Sequence, residues 1–263
     1  MVEHVGFGAM LALLMDRREV SAEELSDRTA STSFEVRAVL AGESPGEGLL
    51  RRLAPALGFH AVDLFVLAGR AAPDDLAPLD ATAAQWTASL VTDAVRLPEE
   101  GRRELLRLIR SLPQEERRSR FTPRSLMPLD RGPGAWVVRM LQYRNLNWMG
   151  MARALAFVTP TYLSAATYGA IGSGRKELTS RLVTDFGALL GIDARELAEL
   201  TGVPLPEVPP PPSPGAVDAA AILWEARRLS AVQAQHVSEL ARSLRGDSDA
   251  GWPTTPARRD SDG

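Results

Sequence analysis

The chain has 263 residues, of which 45% are hydrophobic, and a formal net charge of −3 at pH 7. That length and composition allow one or two sizeable cores, as expected of a globular chain with two domains. The sequence contains no cysteine, which excludes disulfides, thiolate metal ligands and cysteine nucleophiles. The overall charge gives no general support for nucleic-acid binding, so any basic surface has to be local.

The sequence also predicts a cytoplasmic protein with no membrane partner. No basic residue precedes the apolar run within residues 1–15 and no small-residue cleavage site follows it, so a signal peptide is not expected. No stretch approaches the roughly 18 consecutive apolar residues that cross a bilayer. Lys176 is the only lysine, and this arginine bias is typical of a high-GC bacterial genome.

Helical signals fill the first seventy residues. Apolar spacing predicts a helix over residues 8–18, and capping-box patterns at Ser21 and Thr32, each with a glutamate three residues later, predict two more helix starts. The second of these helices stops at Gly42, and a leucine-rich helix then runs to Gly58. Two short helices joined by a tight turn indicate a helix-turn-helix, which presents its second helix to a DNA groove.

A helical hairpin is predicted over residues 79–112, with a leucine stripe that forms core either between the two halves of the chain or between two chains. Residues 113–133 mix proline, glycine and charge and are predicted to be a linker. Arginines in both segments have two interpretations: contacts with a DNA backbone, or a solvent face salt-bridged to Glu99, Glu100 and Glu104. They are Arg102, Arg103, Arg107, Arg110, Arg117, Arg118, Arg120 and Arg124.

The second half of the chain repeats the first. Leu57-Gly58 recurs as Leu190-Gly191, an offset of 133, and Arg110-Ser-Leu112 recurs at an offset of 132 as Arg242-Ser-Leu244. The near-constant spacing predicts tandem duplication of one unit. The expected domains are a first bundle over 1–70, a hairpin over 71–112, a linker over 113–133, a second bundle over 134–203, a proline-rich linker over 204–214, a C-terminal hairpin over 215–245 and a disordered tail over 246–263.

The first bundle resembles the Cro and lambda-repressor type of helix-turn-helix, the xenobiotic-response-element family. The resemblance covers most of residues 6–69, and a weaker second copy covers roughly 134–202. It implies an all-α fold of two tandem lambda-repressor-like helix-turn-helix bundles, each followed by a helical hairpin, in a dimeric transcription regulator. The residues that carry it are Val20, Ser21, Leu25, Val36, Val39, Gly42, Leu49, Leu50, Leu53, Ala54, Leu57, Gly58, Asp63, Leu64 and Gly69.

The resemblance also implies which residues read DNA. In the first copy these would be Thr32, Ser33, Glu35 and Arg37. In the second copy they would be Thr159, Thr161, Tyr162, Ser164 and Ala165, in a helix expected over residues 160–168. The glycine-rich loop after that helix carries Arg175 and Lys176, and its interpretations are a phosphate-binding loop, with backbone amides close to the phosphate, or an ordinary solvated loop.

Local charge favours the second copy as the DNA-binding one. Residues 1–69 have a net charge of −4, whereas residues 134–202 have +2. The glutamine that opens the first motif helix in many family members is missing, since Ala22 and Met149 stand near that position. The rival hypothesis is therefore a protein-interaction scaffold built from degenerate helix-turn-helix domains. The expected partners are double-stranded DNA and, alternatively, a second copy of the chain or another regulatory protein.

Catalysis finds no support in the sequence. His4, His60 and His236 lie far apart and in no metal-ligand spacing, and His60 is expected to be a solvated residue at a helix start. No nucleophile elbow or acidic pair stands out. The chain is therefore predicted not to be an enzyme and to carry no cofactor.

Overall fold

The computed structural model describes residues 6–123 and 132–250, with side chains to residue 245. Within these ranges all regular structure is helical: fourteen α-helices and one short 3-10 turn at Ala81–Ala83, with no strand. The prediction of an all-α fold is confirmed.

The helices fall into two sets of seven, which we call the first half and the second half. The first half contains α1 (Phe7–Arg17), α2 (Ala22–Thr29), α3 (Ser33–Leu40), α4 (Glu47–Ala56), α5 (Ala61–Leu67), α6 (Ala84–Ala94) and α7 (Glu99–Ser111). The second half contains α8 (Pro133–Tyr143), α9 (Trp148–Val158), α10 (Ala165–Gly172), α11 (Ser180–Leu190), α12 (Ala194–Thr201), α13 (Pro214–Ala226) and α14 (Ala231–Ala250).

The first five helices of each half pack in the same way. The first helix contacts the third, the second contacts the third and fourth, and the fourth contacts the fifth. The first and third helices lie very close together at Gly8 and at Gly134, which face the backbone carbonyls of Val39 and Ile171. A glycine is needed at both places because a Cβ atom there would collide with those carbonyl oxygens.

The last two helices of each half pair with the opposite half. The sequence left open whether the apolar stripes of the two hairpins pack between the repeats or between chains. The structure packs them between the repeats, because α6 lies along α14 and α7 lies along α13, while α6 and α7 touch each other only slightly. Leu90 and Ile109 of the first half and Leu223 and Val237 of the second half are all fully buried in one continuous core. Each stripe is covered by the other half instead of by its own neighbour in sequence.

Two arginine–carboxylate pairs join the halves in matching positions. Arg144, which follows the last residue of α8, makes bonds of 2.5 and 2.8 Å to Asp63 on α5 and one of 3.2 Å to the carbonyl of Leu190. Arg18, which follows α1, lies 2.6 Å from Glu196 on α12 and donates at 2.5 Å to the carbonyl of Leu57. Each arginine thus holds the end of the fourth helix of its own half and a carboxylate of the other half.

The predicted linker and tail are both more structured than expected. The guanidinium of Arg117 donates to the carbonyls of Asp74, Ala77, Pro78 and Leu79 at 2.6 to 3.2 Å, which ties the segment after α7 to the loop before α6. Residues 124–131 of the linker lie outside the described residues. The predicted tail begins as a continuation of α14, which is helical to Ala250, and no proline interrupts the chain between Ala231 and Ala250. Residues 251–263 lie outside the described range.

Candidate nucleic-acid interface

The helix pair α2–α3 of the first half begins with the two predicted capping boxes, and both are present. The Ser21 hydroxyl accepts from the Glu24 amide at 3.2 Å, and the Glu24 carboxylate accepts from the Ser21 amide at 2.8 Å. The Thr32 hydroxyl accepts from the Glu35 amide at 3.1 Å, and the Glu35 carboxylate accepts from the Thr32 amide at 2.9 Å. These bonds fix the starts of α2 and α3.

The residues predicted to read DNA in the first half are already engaged with protein groups. Thr32 and Glu35 form the capping box just described, and Glu35 also lies 3.6 Å from Arg52. The hydrogen bond from the Thr32 amide lowers the pKa of Glu35, so this carboxylate stays charged. Arg37 forms an ion pair with Glu23, and Ser33 is half-buried. Together, α2 and α3 carry four acidic residues against two arginines, so this helix pair offers a net negative charge to an approaching phosphate backbone.

In the second half, the predicted reading helix starts later than expected. Helix α9 ends at Val158, and α10 begins at Ala165 after Ser164, so the helix expected over 160–168 is wrong in its first five residues. Thr159 caps α9, with its hydroxyl donating to the Leu155 carbonyl at 2.9 Å, and the buried Thr161 hydroxyl accepts from Arg181 at 2.8 Å. Both threonines serve the connecting segment and neither reaches the outer surface.

The outer surface at the start of α10 is formed by Tyr162 and Ser164. The Tyr162 side chain is 77% exposed, and Ser164 is exposed with its hydroxyl 3.0 Å from that of Thr167. The helix itself presents small groups, with Ala166 exposed and Ala165 and Gly169 half-buried. The hydrogen-bonding side chains therefore cluster at one end of α10, and the rest of its outer face can approach another surface closely.

The glycine-rich loop after α10 differs from the predicted phosphate cradle. Gly174 has a φ of +70°, and the amides of Arg175 and Lys176 both donate to the carbonyl of Ala170, at 2.9 and 3.1 Å. Because these amides close the end of the helix, they are not available to a phosphate. The side chains of Arg175 and Lys176 are exposed, so the charge remains at the surface.

In the first half, the loop after α3 closes onto its helix in the same way as the loop after α10, but it carries the opposite charge. Gly42 has a φ of +104°, and the amide of Glu43 donates to the carbonyl of Ala38 at 3.0 Å, as Arg175 does to Ala170. From the N-cap of the second helix to that of the fourth, the first half has five acidic and two basic residues, and the second half has three basic and one acidic. The positively charged face belongs to the second half.

The arginine-rich hairpin does not add to this surface. Arg103 and Arg107 pair with Glu99 and Glu100, which confirms the interpretation as a salt-bridged solvent face. Arg102 lies 2.7 Å from Asp218 and Arg110 lies 3.0 Å from Glu225, so these two arginines join α7 to α13.

A cluster around Trp224 was missed by the sequence reasoning. The ring of His60 stacks on Trp224 at 3.6 Å, and the guanidinium of Arg227 lies 3.6 Å from the centre of the same indole. The expectation of a solvated His60 is wrong because α13 of the other half covers it. Burial lowers the pKa of His60 to about 3, with the nearby Arg144 and Arg227 acting in the same direction. No spacing in the sequence pairs residues 60 and 224, so no local signal could have found the cluster.

This histidine gives a pH-dependent stability. Its pKa is about 3 in the folded chain against 6.5 for an unperturbed histidine, so the unfolded state binds more protons between those values. The free energy of unfolding should therefore fall as the pH is lowered from 6.5 towards 3. Urea titrations of the chain and of His60→Gln should show a shallower pH dependence for the variant. Equal slopes would mean that His60 titrates normally.

Comparison with known proteins adds no evidence about this interface. Within the described residues, no group of three or more histidine or acidic side chains could hold a metal ion, and no helix is long and apolar enough to cross a membrane. No family model matches the chain, and no curated protein or solved structure shows a significant match.

Proposed function

We propose that the chain is a DNA-binding transcription regulator made of two tandem helix-turn-helix units, and that the unit in the second half supplies the DNA surface. The proposal is supported by the matching helix order of the two halves and by the resemblance of α1–α5 to repressor-type domains. One observation carries it: after the same loop-closing hydrogen bond, Arg175 and Lys176 follow α10 where Glu43 and Ser44 follow α3. Cations at this rim attract phosphates, and an anion repels them.

The contacts available to the second half define the binding mode. Arg175 and Lys176 bind phosphates, and the hydroxyls of Tyr162 and Ser164 donate to phosphate or base-edge oxygens. The methyl group of Ala166 can touch the methyl group of a thymine in the major groove. Because the outer face of α10 lacks a side chain able to form bidentate base contacts, most of the affinity should be electrostatic and the sequence preference modest.

The double variant Arg175→Ala with Lys176→Ala tests this surface. Each lost phosphate contact should reduce the slope of log affinity against log salt by about 0.9, so the double variant should lose up to about 1.8 in slope. Fluorescence anisotropy with a random duplex at several salt concentrations measures this. The matched control is Arg28→Ala with Arg37→Ala, which removes two exposed arginines from the first half and should leave the slope unchanged. An unchanged slope in the Arg175/Lys176 variant would remove this loop from the interface.

A second candidate function is favoured by the first half. Its helix pair is anionic, and Phe34 on α3 is 76% exposed. An exposed aromatic side chain within a charged surface is typical of protein interfaces rather than DNA interfaces. The two functions can coexist, with DNA bound by the second half and a protein bound by the first.

A further inference from the structure

The Phe34 face of the first half has the form of a docking surface with one anchor. Phe34 is the second residue of α3, and its ring is exposed on a helix pair that carries more acidic than basic residues. The equivalent position in the second half is Ala166, so the ring is not required by the shared fold. An exposed phenyl ring on a charged surface has the character of a single anchor in a protein contact.

An apolar groove lies where α6 of the first half packs against α9 of the second half. A cavity of about 550 Å³ lies between α6 and α9 and is open to solvent. Its apolar walls include Ala84, Ala88, Met149, Phe157 and Tyr162, and Met149 is 71% exposed. The groove is large enough to accept a phenyl ring.

The charges at the groove are opposite to those around Phe34. Arg153 lines the groove, and Arg96 lies 4.7 Å from the ring centre of Phe157 at its edge. The helix pair that bears Phe34 carries four acidic residues, Glu23, Glu24, Asp27 and Glu35, against two basic ones, Arg28 and Arg37, so it has a net negative charge. An aromatic anchor within an acidic rim therefore meets an apolar groove with a basic rim, and both surfaces belong to the same chain. Such complementarity favours association.

We propose that the chain associates with a second copy of itself head to tail, with Phe34 of one molecule seated in the α6–α9 groove of the next. The contact is heterologous, because two different surfaces meet, so association continues into short filaments or closes into a ring. Tyr162 belongs both to this groove and to the proposed DNA surface. If the proposed function holds, DNA and the second copy compete for it.

Sedimentation velocity of the full chain over a wide concentration range tests the proposal. The weight-average sedimentation coefficient should rise with concentration at low salt and fall when salt is added, because the rims are charged. Phe34→Ala and Met149→Glu should each remain monomeric under the same conditions. Val232→Ala removes an equally exposed apolar side chain, 76% exposed on α14, and should associate as the unchanged chain does. A chain that stays monomeric at every concentration overturns the proposal.

Mixing the two variants separates head-to-tail docking from a symmetric contact. The Phe34→Ala chain keeps an intact groove, and the Met149→Glu chain keeps an intact anchor, so an equal mixture should form a heterodimer and stop there. A mixture that stays monomeric would contradict the assigned pairing of surfaces. Both variants should fold, since Phe34 is exposed and a glutamate at position 149 lies in the first turn of α9, where a negative charge is favourable. These measurements contain no DNA, so their failure is distinct from failure of the proposed function.

Discussion

Asp63→Ala should destabilise the chain by about 3–5 kcal/mol, because it leaves the guanidinium of Arg144 buried without its counter-charge. The side chains of Arg144 and Asp63 are only 1% and 0% exposed, and two hydrogen bonds join them across the halves. Removing one partner exposes the full desolvation cost of the other. Urea unfolding with a two-state analysis measures the change in the free energy of unfolding.

The equivalent pair on the other side of the molecule provides the matched control. Arg18 and Glu196 keep 21% and 13% of their side chains exposed, so water screens the charge that Glu196→Ala leaves behind. We expect a loss closer to about 1 kcal/mol there. The double variant Asp63→Ala with Arg144→Ala should cost less than the sum of its single changes, since neither charge then remains unpaired. Equal losses for Asp63→Ala and Glu196→Ala would contradict the importance of burial.

Gly8→Ala and Gly134→Ala should each destabilise the chain by about 2–3 kcal/mol, because the first and third helices must separate to admit a methyl group. The new Cβ atoms would meet the carbonyl oxygens of Val39 and Ile171, and a backbone cannot rotate away as a side chain can. Similar losses at both positions are expected, since the two helix pairs have the same geometry.

Gly169→Ala is the control for this pair of substitutions. Gly169 also lies within a helix, but no atom comes within 4 Å of a Cβ placed there. The higher helix propensity of alanine should stabilise the chain by up to about 1 kcal/mol. Thermal unfolding should therefore show a lower melting temperature for Gly8→Ala and Gly134→Ala and a higher one for Gly169→Ala. Neutral behaviour of Gly8→Ala and Gly134→Ala would show that the close helix contact is not maintained in solution.

Short-range signals explain why many features could be predicted from the sequence. The starts of α2 and α3 depend on capping boxes within four residues, and the ends of α11 and α12 depend on Gly191 and Gly202 in left-handed conformation. These contacts are local, so the residue order alone is enough to indicate them.

Long-range contacts explain what was missed. The apolar stripe of α6 left open whether it packs between the repeats or between chains, and the assembled core places it against α14. The buried position of Thr161 depends on Arg181, twenty residues later, and the stacking of His60 depends on Trp224. Arg18 and Arg144 occupy equivalent positions in the two halves. The sequence did not show this, because their separation along the chain differs from the offset of the repeated Leu-Gly pairs. Tertiary packing, rather than local preference, decides each of these.

The exposure of the proposed DNA-contacting residues was predicted in part. Tyr162, Ser164, Arg175 and Lys176 lie on the surface of the second half, as a DNA-contacting set requires, whereas Thr159 and Thr161 do not. The sign of the local charge can be read from the sequence, because charge is additive along the chain. It could not anticipate that the loop amides close the end of α10, since that depends on the backbone conformation at Gly174.

A charge exchange between the two loops tests the central claim most directly. The variants Arg175→Glu and Glu43→Arg change equivalent positions in the two halves. They therefore report which half contacts the DNA. Fluorescence anisotropy at low and at moderate salt measures binding to a random duplex. Binding should be lost in Arg175→Glu. It should be retained in Glu43→Arg, with a steep decline as salt rises. Absence of binding by the unchanged chain at low salt, or equal binding by the two variants, would contradict the assignment of the DNA surface to the second half.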